Sequence, residues 1–256
     1  MFIDTHCHIY LEQFEQDLDE VLDRASAAGV IDIFMPAINF DSLPKMDRLK
    51  HEKITFHKMA GIHPTEINEG VETSRDELFT YCSLEDIVAV GETGLDYYWS
   101  DDYKKKQKES LHIHCKVAKS VSKPIILHNR ESTDDLLTII EEEQDGNLSG
   151  IWHCFNGSVE EGKRAIDLGL HLGIGGVLTF KNAGVDKTAA ELPLEKMILE
   201  TDAPYLAPSP KRGERNEPSF IKFTAQKLAE AMDVSVEEIA SRTSETALNL
   251  FATDLH

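Results

Sequence analysis

Short apolar segments alternate with amphipathic segments of helical period along this 256-residue chain. The apolar segments have the length of buried strands, and the segments between them carry apolar residues three or four positions apart. The predicted strands span residues 2–5, 30–38, 54–61, 87–90, 124–128, 150–153, 170–174 and 197–201. The predicted helices span residues 14–28, 41–50, 74–83, 102–120, 131–143, 159–168, 185–192, 218–231 and 236–251.

This alternation predicts an α/β fold in which eight parallel strands are each followed by a helix. A (β/α)₈ TIM barrel commonly reaches the length of this chain as one unit, and the sequence has no linker, repeat or change of composition. We therefore expect a single barrel domain over residues 1–256, with extra C-terminal helices. The irregular segment 203–217 follows the eighth strand, where an active-site loop is expected.

The charge of the chain limits its partners. The formal charge is −20, from 46 acidic and 26 basic residues, which argues against a broad basic surface for duplex nucleic acid. Bound metal ions can still make a local positive site. Because no long apolar run is present and Asp4, His6 and His8 interrupt the first segment, we expect no membrane span, no signal peptide and a cytoplasmic location.

Histidines and acidic residues follow the ends of the apolar strands. Such ends meet at one mouth of a barrel, where the active sites of these barrels are built. His6 and His8 alone are a weak signal, but a chain with eleven histidines places several more at other strand ends. The residues concerned are His6, His8, His63, Glu92, His128, His153 and Asp202.

Their chemistry predicts a metal site. Four imidazoles and two carboxylates suit a pair of divalent ions bridged by one carboxylate, and Glu92 is the natural bridge. We expect His6, His8 and Asp202 on one ion, with His128 and His153 on the other. Imidazole ligands suit Zn²⁺, Mn²⁺ or another transition metal, and two such ions would leave the pocket positive enough for an anionic substrate.

Other polar residues fall beside these ligands. His63 is placed either to touch a substrate phosphate or to bind loop carbonyls, and Arg130 either to hold an anion or to form a salt bridge. Glu200 and Asp4 each precede a predicted ligand by two residues, so either could orient a ligand histidine. By strand alternation, Cys154 is expected to face the helix layer.

Motifs in seven parts of the chain resemble the TatD family of metal-dependent deoxyribonucleases, in the amidohydrolase superfamily. The resembling segments are Asp4-Thr5-His6-Cys7-His8, Gly61-Ile62-His63-Pro64, Gly91-Glu92-Thr93-Gly94-Leu95-Asp96, His128-Asn129-Arg130, His153-Cys154-Phe155-Asn156-Gly157, Glu200-Thr201-Asp202-Ala203-Pro204-Tyr205-Leu206, and Arg212-Gly213 with Asn216-Glu217-Pro218. The chain departs from the family at Thr65, where a second histidine is frequent, and at Asn156, where serine is usual.

The resemblance implies that the same six residues bind metal and that Mg²⁺ supports hydrolysis of DNA phosphodiesters, often from 3′ to 5′. We expect a metal-activated water to attack the phosphate, with Glu92 and Asp202 as catalytic residues and Asp202 accepting the proton. His63, Arg130 and Arg212 would hold the substrate, which is DNA, as single strands or 3′ ends, and a monomer is expected. The alternatives are hydrolysis of a small ester, lactone or amide, and a non-catalytic metal-holding protein.

Overall fold

The structure is a computed structural model that describes residues 1–100 and 102–252. Its strands form one parallel sheet in chain order. They are β1 (Phe2–Asp4), β2 (Val30–Met35), β3 (Thr55–Ala60), β4 (Ile87–Asp96), β5 (Ile125–Arg130), β6 (Gly150–Trp152), β7 (Leu170–Ile174) and β8 (Met197–Leu199). The predicted domain bounds also take in residue 101 and residues 253–256, which lie outside the described residues.

Helices connect the strands and extend the chain beyond β8. They are α1 (Leu18–Ala27), α2 (Leu43–Met46), α3 (Pro64–Asn68), α4 (Arg75–Cys82), α5 (Lys104–Val121), α6 (Thr133–Glu143), α7 (Val159–Asp167), α8 (Val185–Ala190), α9 (Ile221–Met232) and α10 (Val236–Phe251). The architecture confirms the predicted (β/α)₈ barrel with extra C-terminal helices. Across the described ranges, every helix is too short or too polar to cross a membrane.

Contacts between the first and last strands close the barrel. The Thr5 amide donates to the Leu199 carbonyl at 3.1 Å, and one step further the Asp202 amide donates to the His6 carbonyl at 2.8 Å. The buried carboxylate of Asp4 accepts two hydrogen bonds from Thr201, one from the amide at 2.9 Å and one from the hydroxyl at 2.6 Å. Asp4 therefore joins β1 to the segment after β8 and does not orient a histidine ring.

Apolar side chains fill the part of the barrel interior that lies away from the carboxyl ends of the strands. The interior is occupied by single residues from successive strands, and the ring of Phe251 on α10 stacks on Phe34 of β2 with 4.1 Å between centroids. A second, larger apolar cluster lies between the sheet and the surrounding helices. Because both layers are apolar, the polar residues of the barrel are concentrated at the carboxyl ends of the strands.

The fourth strand differs from its predicted bounds in a way that matters for the site. It continues to Asp96, and within it Gly91 and Glu92 together oppose a single residue of β5, Ile126. Such a bulge turns a side chain away from the regular alternation of the strand. Gly94 has a φ of +137°, and a Cβ there would meet the His128 carbonyl oxygen, so glycine permits the close approach of β4 and β5.

Two helical predictions differ from the structure. The segment predicted as a helix over 41–50 contains only the short helix α2, preceded by a 3₁₀ turn at Phe40–Ser42. The helix α3 is absent from the prediction, because the amphipathic period cannot develop over five residues. It begins immediately after His63, whose ring caps it by accepting from the Thr65 amide.

Replacing Thr201 by valine tests the closure of the barrel. The change removes the hydroxyl that donates to Asp4 and leaves part of a buried carboxylate unsatisfied, which typically costs about 1–3 kcal/mol. We expect Thr201→Val to lower the free energy of unfolding by that amount in urea. Thr80→Val, at an exposed helical position, is the matched control. Equal stability of the two variants would contradict the role given to this contact.

Candidate metal centre

The carboxylate of Glu92 lies at the centre of a cluster of histidines and is 2% exposed. Its Oε2 atom lies 3.1 Å from Nε2 of His6 and 3.5 Å from Nε2 of His8. Its Oε1 atom lies 3.0 Å from Nδ1 of His128 and 3.5 Å from Nε2 of His153. The two oxygens of one carboxylate therefore face different sets of imidazoles.

Asp202 supplies a second carboxylate on the side of His6 and His8. Its Oδ1 atom lies 3.8 Å from Nε2 of His6 and 3.7 Å from Nε2 of His8. Its backbone lies in the left-handed region, with a φ of 57°, which aspartate tolerates better than most residues. Three groups have ligand atoms within 4.8 Å of one another: His6, His153 and Asp202; His6, His8 and Glu92; His63, Glu92 and His128.

Hydrogen bonds behind the cluster set which ring nitrogen can bind a metal. The Tyr10 hydroxyl donates to the Pro36 carbonyl at 2.8 Å, so it accepts from Nδ1–H of His8 at 3.1 Å. The Glu200 carboxylate accepts from Nδ1–H of His153 at 3.0 Å. In the neutral form of both rings the proton is therefore held on Nδ1, and the Nε2 lone pair faces the cluster. This is the tautomer that a metal ligand requires.

The ring of His128 is turned the other way, and it too keeps one nitrogen for a metal. Its Nε2 atom lies 3.0 Å from Oδ2 of Asp96, and its Nδ1 atom faces Glu92. A proton held on Nε2 by Asp96 leaves Nδ1 to bind a metal. Burial opposes a charge on His128, but the hydrogen bonds to both carboxylates raise its pKa.

His63 differs from these rings. The Thr65 amide donates to its Nδ1 atom at 3.2 Å, and the Thr65 hydroxyl lies 2.7 Å from the same atom. Because Nδ1 accepts, the neutral ring carries its proton on Nε2, which lies 3.5 Å from Oε1 of Glu92. Burial lowers the pKa of His63, which favours this neutral form. His63 is thus suited to donate a hydrogen bond in the cavity rather than to bind a metal.

The buried carboxylates require positive charge nearby. Burial opposes ionisation of Glu92, but the surrounding histidines outweigh burial and hold its pKa well below the ordinary value. Burial likewise disfavours a charge on His153, but Glu200 and Glu92 raise its pKa to about 10, so a bound cation would have to displace the second proton of this ring from Nε2. Burial lowers the pKa of His6, whose ring stacks on His153, to about 4. A site with several buried carboxylates and inward-facing imidazole lone pairs fits divalent cations.

The cluster opens into a cavity of about 600 Å³ whose lining includes Arg130 and Trp99. The guanidinium of Arg130 lies 3.6 Å from the ring centroid of Tyr98. Asp96 is close enough for its charge to interact with that of Arg130, but among the described residues no carboxylate lies within salt-bridge distance of this guanidinium, so the salt bridge considered for it from the sequence is absent from that part of the chain. The Arg212 guanidinium lies 3.7 Å from the ring centroid of Phe180 and does not line this cavity, so its substrate role stays a prediction.

Several contacts at the site differ from the sequence prediction or are missing from it. Cys154 lines the cavity and does not face the helix layer, because β6 ends at Trp152 and Cys154 has a φ of 49°. The roles of Tyr10 and Asp96 were not predicted. Asp96 belongs to the Gly-Glu-Thr-Gly-Leu-Asp motif, so its position after a strand was a usable signal, whereas Tyr10 had none.

Comparisons with known proteins find metal-dependent hydrolases that are similar over nearly the whole chain. The family model described as TatD related DNase matches residues 3–252. The chain is 38% identical to the uncharacterized metal-dependent hydrolase YabD of Bacillus subtilis, over 98% of this chain and 99% of that protein. It is 34% identical to the uncharacterized metal-dependent hydrolase YcfH of Escherichia coli K12, over 98% and 96%. The crystal structure of YjjV, a TatD homologue from E. coli K12, has a TM-score of 0.90 at 30% identity and covers 99% of this chain and 98% of its own.

Replacing Glu200 by glutamine tests how the imidazoles are positioned. Glu200 accepts from Nδ1 of His153 and from the Cys154 amide, so the change removes a charge that holds the ring. Changes at such supporting residues typically weaken metal affinity about 10- to 100-fold. We expect that loss when metal-free protein is titrated with Mn²⁺ by calorimetry. The exposed Glu141→Gln is the control, and equal affinities in the two variants would contradict the assigned role.

Proposed function

The chain belongs to the TatD family of metal-dependent hydrolases, and on that premise we propose that it is a deoxyribonuclease that hydrolyses DNA phosphodiester bonds. The family description, TatD related DNase, supports this substrate class. The relatives named above are described only as metal-dependent hydrolases. The choice of a phosphodiester therefore has to rest on the side chains around the cavity.

One observation carries the choice of an anionic substrate, and it is the guanidinium of Arg130 beside the cavity. It lines the same cavity as Glu92 and has no acidic partner within salt-bridge distance in the described part of the chain. A planar guanidinium offers two parallel donors to the oxygens of a phosphate. The proton on Nε2 of His63 adds a neutral donor inside the cavity. A neutral ester or lactone would offer no negative charge to this guanidinium.

The ligand geometry supports a pair of ions. His6, His8 and Asp202 would hold one ion beside Oε2 of Glu92, and His128 and His153 the other beside Oε1. When bound, divalent ions supply positive charge against the phosphate and lower the pKa of water at the site. The family resemblance favours Mg²⁺, whereas the imidazole ligands favour Mn²⁺ or Zn²⁺.

The residues of the chain then have separate tasks in the reaction. Arg130 and His63 hold non-bridging oxygens of the phosphate and so fix the phosphorus near the carboxylates. Asp202, at the edge of the cavity, accepts a proton from the attacking water. The water oxygen forms a bond to phosphorus, the bond from phosphorus to O3′ breaks, O3′ takes up the proton that Asp202 accepted, and a 5′-mononucleotide leaves. The cavity volume, about 600 Å³, suits the end of a single strand better than duplex DNA.

The test is hydrolysis of a 5′-labelled single-stranded oligonucleotide with Mg²⁺, Mn²⁺ or Zn²⁺. We expect stepwise shortening from the 3′ end. Loss of a general base typically costs about 10²- to 10⁴-fold in rate, so Asp202→Asn should lose activity by that factor. Glu92→Gln should lose at least as much activity, because it removes the negative charge that lies between the two sets of metal-binding histidines. The matched control is Asp19→Asn, on the exposed side of α1.

A parallel assay with a panel of small esters, lactones and amides separates this proposal from its alternative. Hydrolysis of the panel with intact DNA under every metal would replace the deoxyribonuclease by a small-molecule hydrolase. Equal DNA cleavage by the wild type and the Asp202→Asn variant would instead point to a contaminating nuclease and overturn the proposal.

A further inference from the structure

Two aromatic side chains next to the cavity are exposed to solvent. Tyr98 is 50% exposed and Trp99 is 64% exposed, whereas Trp152, the other tryptophan of the chain, is fully buried. Large apolar rings are normally removed from water, so a pair of neighbouring exposed rings marks a candidate contact surface. Tyr98 and Trp99 follow the end of β4, on the rim of the mouth that holds Glu92.

Arg130 joins the two rings into one surface. Its guanidinium carbon lies 3.6 Å from the ring centroid of Tyr98 and 5.5 Å from that of Trp99. The two rings meet edge to face, with centroids 4.9 Å apart and planes at 88°. We call these three side chains the aromatic platform. It combines exposed aromatic faces with a positive charge that has no carboxylate within salt-bridge distance in the described residues.

Hydrogen bonds fix the aromatic platform relative to the candidate metal centre. The Tyr98 amide donates to Oδ1 of Asp96 at 3.1 Å, and Oδ2 of the same carboxylate lies 3.0 Å from His128. The Tyr97 amide donates to the Arg130 carbonyl at 3.0 Å. Trp99 and Arg130 line the same cavity as Glu92. A group stacked on the platform is therefore held at a set position relative to the reacting phosphate.

We propose that the aromatic platform is a nucleobase subsite, in which Trp99 stacks on a base of single-stranded DNA while Arg130 binds an adjacent phosphate. The inference rests on the proposed function and adds how the substrate is recognised. A nucleotide joins a flat aromatic base through a sugar to an anionic phosphate, and it matches a flat indole beside a guanidinium. Stacking requires an unpaired base, so the platform selects single strands and frayed 3′ ends. It reads no sequence, because every base has a π face.

The test compares binding of two fluorescent single-stranded oligonucleotides, one with bases throughout and one with abasic residues at its last 3′ positions. The Glu92→Gln background prevents cleavage during the measurement. Loss of a stacked base typically weakens binding by about tenfold, so the Glu92→Gln protein should prefer the base-bearing strand by about that factor. In Trp99→Ala this ratio of dissociation constants should fall toward one. Trp99→Phe, which keeps an aromatic face, should restore most of it.

Phe79→Ala is the matched control, since Phe79 is 44% exposed on α4 and does not line the cavity. It should keep the ratio of the Glu92→Gln protein. If Trp99→Ala also keeps that ratio, the inference is overturned. A wild type that cleaves no DNA while the ratio still depends on Trp99 would remove the proposed function and leave the nucleobase subsite standing. The binding assay therefore tests the nucleobase subsite, and the cleavage assay tests the proposed function independently.

Discussion

The buried carboxylate of Glu92 is the constraint on which the rest of the site depends. Removing an ionised carboxylate from water costs several kcal/mol unless charge or hydrogen bonds compensate it. Here nitrogen atoms of histidines from four other strand ends and loops surround both of its oxygens. That arrangement requires a closed barrel, because only closure brings the end of β1 beside the ends of β4, β5 and β6. The bulge in β4 then turns Glu92 toward the barrel axis.

Polar residues behind the histidines hold the rings in the orientation that metal binding requires. Tyr10, Glu200 and Asp96 each accept from the outer nitrogen of a histidine, which leaves the inner nitrogen with a lone pair. Thr65 does the reverse for His63 and makes that ring a donor. The same principle extends outward, because Asp96 also holds the backbone of Tyr98. The candidate metal ligands, the proposed substrate contacts and the aromatic platform are thus linked by hydrogen bonds rather than by proximity alone.

The barrel and the cluster could be predicted because each depends on a local pattern. Alternating strand and helix periods define a barrel, and in a barrel the polar residues that follow strands, such as His6 and Asp202, must meet. Features that depend on packing across the barrel could not be predicted. The φ of Cys154 reverses its expected direction, and Tyr10 reaches His8 only after the chain turns back. The positions of the protons on the histidines also could not be predicted, because they depend on the hydrogen-bond partners of each ring.

The most direct test of the account is a crystal structure of the protein soaked in Mn²⁺, analysed by anomalous scattering. The account predicts two peaks, one on each side of the Glu92 carboxylate. The first should lie against His6, His8 and Asp202, and the second against His128 and His153. A single peak, or peaks that leave Glu92 without a metal contact, would contradict the central claim that this carboxylate joins two ions.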